Sequence, residues 1–98
     1  MGKYLVLYEL DTTRLPVSPK ERGAASLPLI EMVKQDIKKG IMKDWGEFVG
    51  EGCGYAVMEG TELEIMNTLQ RYNPFVRFKS HAIGSLTQVE EMLKALTK

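Results

Sequence analysis

Cysteine, histidine and tryptophan occur once each in this 98-residue chain, and neither charge is in surplus, with 13 Lys+Arg against 13 Asp+Glu. Each shortage excludes something. A lone Cys53 cannot form an intrachain disulfide; set between Gly52 and Gly54 with no second cysteine and no nearby histidine, it reads as an inert turn thiol, unsuited to zinc or an iron–sulfur cluster. The six methionines have no paired soft ligands beside them and read as core, not metal site. Zero net charge removes the Lys/Arg excess that nucleic acid and acidic membranes require. No apolar run approaches the roughly 20 residues of a membrane helix, and no secretory signal opens the chain, so a cytoplasmic protein is expected. A P-loop, a GxSxG elbow, an HExxH helix and a dinucleotide fingerprint are all missing. NTP hydrolysis, serine hydrolysis, zinc proteolysis and nicotinamide chemistry therefore have no support, and no cofactor is expected. Haem would have His81 alone as axial ligand.

What is present suffices for one folded domain, since 44% of the residues are apolar. Lys3–Leu10 is rich in β-formers and reads as a strand. Ser18-Pro19-Lys20-Glu21 supplies an N-cap, a proline at the first helical position and an acid at the third. The helix it opens carries Leu27, Ile30, Val33 and Ile37 at helical spacing and stops at Gly40. Pro28 inside it predicts a kink, or two helices with Ser26 as a second cap. Ile41–Gly50 and Tyr55–Glu59 form a hairpin around a glycine-bearing turn. Thr61-Glu62-Leu63-Glu64 opens a helix with Leu63, Met66 and Leu69 as its stripe and Ile65 and Tyr72 adjoining. Phe75–Ile83 is a fourth strand, and Ser85-Leu86-Thr87-Gln88 opens a last helix whose Val89, Met92, Leu93 and Leu96 share a face. The β-α-β-β-α-β order with a C-terminal helix predicts an α+β, ferredoxin-like domain: a four-stranded antiparallel sheet ordered 4-1-3-2, both main helices on one face.

Alternation along the strands predicts what the uncovered face carries. Arg77, Lys79, His81 and Ile83 fall there from the fourth strand, with Phe75, and Tyr55, Val57 and Glu59 from the third. Tyr4, Val6 and Tyr8 are expected from the first, and Ile41, Trp45 and Val49 from the second, unless Gly46 is a bulge that breaks the parity. Five aromatic rings at about 150 Å² each would expose roughly 750 Å², more than a typical monomer leaves bare. A second copy, sheet against sheet, is the simplest cover; the C-terminal helix folding across the face is the alternative.

The run Lys43-Asp44-Trp45-Gly46-Glu47-Phe48-Val49, with Gly54-Tyr55-Ala56-Val57-Met58-Glu59 and Phe75-Val76-Arg77-Phe78, resembles the dimeric α+β barrel superfamily, and within it a small group of uncharacterised domains of similar length. The resemblance implies a homodimer whose sheets enclose a cavity, a setting that related families use for cofactor-free oxygenation, haem degradation, isomerisation or ligand binding. No catalytic set of those families is matched.

Arg77, Lys79 and His81 alternate on one strand face, where three donors suit a carboxylate, enolate or phosphate. His81 titrates near neutrality, and Glu59 is placed to orient it or to pair with Arg77. The competing reading is an edge strand whose charges discourage aggregation. Tyr8, Trp45 and Tyr55 are candidate stacking surfaces for a planar ligand, or plain interface core. Arg14 and Arg22 are candidates at a cavity mouth or solvated loop charges. Glu62 and Glu64 read as helix-capping acids. An RNA-recognition motif is echoed at Glu51–Met58, but the positions that should be basic or aromatic hold Glu51, Cys53 and Met58. The expected function is small-molecule binding in a cavity on the open sheet face, with His81 and Arg77 as acid/base and anion stabiliser in a cofactor-independent oxygenase or isomerase. A non-catalytic interaction module is the alternative.

Overall fold

The computed structural model describes residues 2–98. Its elements run β1 (Gly2–Leu10), a 3-10 turn (Thr12–Arg14), α1 (Pro19–Lys39), β2 (Met42–Glu47), β3 (Cys53–Gly60), α2 (Glu62–Gln70), β4 (Val76–Ile83) and α3 (Leu86–Leu96). The strands form one sheet ordered β2-β3-β1-β4 with every pairing antiparallel, which is the expected 4-1-3-2 order read from the other edge.

Local chemistry sets the helix ends. Ser18 accepts from the Glu21 N–H with Pro19 at the first turn, and Gly40 closes α1 in the left-handed region at φ 85°. Thr61 with Glu64, and Ser85 with Gln88, form complete capping boxes. The hairpin turn uses Gly50 and Gly52 at positive φ. Pro28 does not divide α1 into two helices with Ser26 as a second cap: one helix spans Pro19–Lys39. Ala24, whose carbonyl loses its donor to the proline ring, is solvent-exposed, where an unpaired carbonyl costs little.

The stripes of α1 and α2 differ from the expected ones. In α1 the inward residues are Leu29, Met32, Val33 and Asp36, while Leu27 and Ile37 are exposed. In α2 they are Ile65 and Leu69, continued by Tyr72, while Leu63 and Met66 stand 65% exposed. Both sets keep helical spacing and share Val33 and Leu69 with the expected stripes, Ile65 and Tyr72 being the residues expected to adjoin the second.

Two strands present the opposite face from the expected one. Tyr4, Val6 and Tyr8 pair with Met58, Ala56 and Gly54 and lie under the helices, leaving Leu5 and Leu7 on the open face. β1 is apolar on both sides, so alternation alone cannot orient it. Trp45 also faces the helices, opposite Ala56. The irregularity lies between Met42 and Asp44, not at Gly46, and the extra residue there flips the parity of everything after it. Ile41 and Val49 fall outside β2, and Phe75 precedes β4. The assignments for Tyr55, Val57 and Glu59 and for Arg77, Lys79, His81 and Ile83 agree with the register.

The core gathers Val6, Tyr8, Met42, Ala56, Met58 and Val76 from the sheet against Val33 of α1, Ile65 and Leu69 of α2 and Tyr72 in the turn that follows it. α3 takes no part: all its residues are exposed, and it does not lie across the open face. With the largely exposed first half of α1, it stretches the molecule to 61 × 26 × 19 Å and a radius of gyration of 16.4 Å. A compact chain of this length has about 13 Å.

Candidate functional site

α1 lies against β2 and α2 against β3, and the gap between them and the sheet is a cavity of about 340 Å³. Leu10, Val76 and Phe78 line its sheet side, Leu29, Ile30 and Val33 its α1 side, and Leu69 of α2 with Tyr72 of the following turn its third side. Tyr8 and Trp45 complete it. Their rings stack 5.5 Å apart and 9° from parallel, flanking the small β3 residues Gly54 and Ala56. Glycine at 54 is what allows this, because a Cβ there would meet the Gly46 carbonyl oxygen and lie 2.7 Å from Tyr8 Oη.

Two buried tyrosines at this cavity differ in how they are satisfied. Tyr72 donates to Asp36 Oδ2 at 2.7 Å, and the same carboxylate, 1% exposed, holds Arg71 Nη2 at 2.5 and 2.6 Å. This cluster ties α1 to the end of α2. Burial, then the hydrogen bond to Asp36, push the Tyr72 hydroxyl far above the ordinary phenol value. Tyr8, 6% exposed, has no hydrogen-bond partner for its hydroxyl. Burial, with the nearby Glu47 carboxylate and Cys53, raises it far above the usual value too, so it stays protonated. Leaving such a group unpaired costs about 1–3 kcal/mol. Glu47 is the one charged side chain among the described residues lining the cavity.

The sheet therefore divides the sequence-predicted residues. Tyr8 and Trp45 line the cavity, while Tyr55, Glu59, Arg77, Lys79 and His81 lie on the opposite, open face. There Arg77 Nη2 pairs with Glu9 Oε1 at 3.3 Å, both side chains well exposed. Tyr55 donates to Asp44 Oδ2 at 2.8 Å; that bond, then burial, raise its pKa. It also stacks on Phe48 at 6.2 Å. His81 is exposed opposite Leu5, and β1 runs between it and Glu59. Glu59 is thus not its neighbour, nor that of Arg77. Arg14 approaches Asp11 at 3.9 Å, and Arg22 donates to the Val17 carbonyl, so both serve the loop before α1. Cys53 opens β3, half-buried, its thiol pKa raised by burial and by Glu51, Glu9 and Glu47, which leaves it a poor nucleophile.

The Asp36–Arg71–Tyr72 cluster and Glu47 had no place in the sequence reading. Asp36 was legible in one respect: it continues the Leu29–Val33 spacing, so an acid sits on a buried helix stripe and must have a partner. Among the described residues no helix is long and apolar enough to cross a membrane, and no group of three His, Cys, Asp or Glu is placed to hold a metal. Compared with known proteins, the chain matches no family model and no curated protein.

Proposed function

We propose that the protein binds a small aromatic molecule in the cavity between its helices and sheet, and that its open sheet face serves self-association as a homodimer of the α+β barrel kind. The observation that carries the binding reading is an apolar, aromatic-walled cavity of about 340 Å³ between the helices and the sheet. Ligand pockets have this composition: hydrophobic walls with few polar groups. The reading is of binding, not catalysis. The groups suited to acid–base work, His81 and Arg77, lie across the sheet from the cavity, so an oxygenase or isomerase reaction at the open face would need the partner copy to build its site.

Trp45 is the chain's single tryptophan and lines the cavity, so its emission reports occupancy directly. Titration with naphthalene is expected to give a saturable change at one site per chain, unaltered in His81→Ala. An emission that does not respond would overturn the reading.

Self-association rests on Leu5, Leu7, Tyr55 and Val57 at the centre of an uncovered face, and on the α3 stripe of Val89, Met92, Leu93 and Leu96. Sedimentation at micromolar concentration is expected to give twice the monomer mass, and Leu7→Lys with Val57→Lys to return it to one. The rival reading, a non-catalytic interaction module, is favoured by the fully exposed α3. It predicts unchanged mass and no response of Trp45 to naphthalene.

A further inference from the structure

We infer that the cavity takes a protonated aromatic amine, its two-ring apolar body between the helices and the sheet and its ammonium group against the Glu47 carboxylate at the rim. This rests on the binding reading above and narrows it to a ligand class. Size comes from volume: a cavity of about 150 Å³ accommodates one benzene ring, so about 340 Å³ suits two fused rings. Aromaticity follows from the walls, to which Tyr8, Trp45, Tyr72 and Phe78 contribute rings.

The charge follows from where Glu47 stands. Beyond the irregularity in β2, alternation puts Glu47 on the helix-facing side with Trp45, and the register sets it across Gly54 from Tyr8. It is exposed, so solvent and an entering molecule both reach it. Glu9 is taken by Arg77 and Asp44 by the Tyr55 hydroxyl, whereas no Lys, Arg or His among the described residues pairs with Glu47. None of the described residues lining the cavity is basic either. An anion would shed its water there, find no counter-charge and face a like charge. The basic trio Arg77, Lys79 and His81 lies beyond the sheet and cannot compensate. Aromatic ring faces attract cations, which adds to the selection. Because Glu47 keeps its water, the pair forms without burying a charge, and it contributes as an exposed ion pair does.

Three probes of one shape separate the parts of this inference: aminotetralin carries a positive charge, tetralol none and tetralin carboxylate a negative one. Titrated against Trp45 emission in the intact protein at low salt, aminotetralin is expected to bind about two- to fivefold tighter than tetralol, the span of an exposed ion pair. Tetralin carboxylate is expected to bind weakest. Glu47→Gln keeps the size of the side chain and should equalise aminotetralin and tetralol while still binding both. Salt at about 1 M, where the screening length falls to about 3 Å, should do the same in the wild type. Equal binding of the two by the wild-type protein at low salt, a preference for the carboxylate, or a preference for the amine that survives Glu47→Gln or high salt would overturn the inference and leave the cavity reading intact. Failure of all three probes to change the emission would overturn both.

Discussion

The two faces of the sheet are built from the same four strands, yet they solve opposite problems. On the helix side Tyr8, Trp45, Tyr72 and Phe78 surround a cavity, and Asp36, outside its lining, is buried and held by Arg71 and Tyr72 at 2.7 Å or less. On the open side the apolar centre of Leu5, Leu7, Tyr55 and Val57 is flanked by charges that keep their water, such as Arg77 and Glu9 at 3.3 Å. The same kinds of residue are therefore worth different amounts on the two faces. Desolvation makes an unpaired group costly on one side and nearly indifferent on the other.

Matched substitutions across the sheet test this, beginning with the largest effect. Asp36→Ala should destabilise by about 3–5 kcal/mol, because it strands Arg71 and the Tyr72 hydroxyl. The thermal midpoint should fall by on the order of 15 °C; a fall of a degree or two would break the comparison. Gly54→Ala comes next, at about 2 kcal/mol or more, since its Cβ has no room between Gly46 and Tyr8. Gly23→Ala in exposed α1, where a Cβ meets nothing within 4 Å, should instead stabilise by about 0.5–1 kcal/mol. Denaturant midpoints read both.

The two tyrosines give a finer contrast. Tyr72→Phe loses a buried hydrogen bond and should cost about 1 kcal/mol or more, whereas Tyr8→Phe without ligand should cost nothing or gain slightly, its hydroxyl being unpaired. Equal losses would mean that Tyr8 has a partner. On the open face Glu9→Ala should change stability by less than about 0.5 kcal/mol. The smallest effect is one of pH. Glu64 accepts the Thr61 N–H in its capping box, which holds its carboxyl below the ordinary value of 4.5. A depressed folded pKa means stability present above that value and lost as pH falls through the lower folded one. Between pH 5 and pH 3 the thermal midpoint should drop more in the wild type than in Glu64→Gln, which keeps the box but does not titrate.

Much of the fold was legible because it rests on neighbours in sequence. Ser18 with Pro19, the boxes at Thr61 and Ser85, and Gly40 all act within one helical turn, and each forms as its residues dictate. The candidate site was legible only in its parts. Tyr8 and Trp45 could be picked out as large rings near one another, but their side of the sheet could not. Leu5 and Leu7 are as apolar as Tyr4 and Val6, and nothing local marks the irregularity after Met42.

Composition and short-range pattern by themselves determined the element order, the helix caps, the antiparallel sheet with its 4-1-3-2 order, and a chain without a charge surplus for nucleic acid. Tertiary structure alone decided which face each strand shows, where the cavity lies, and that Asp36 meets an arginine and a tyrosine far along the chain. The physical reason is range. A capping bond closes over three residues, whereas strand parity is a two-fold choice that leaves local energy unchanged and is settled only when another strand and a helix compete for the same buried surface.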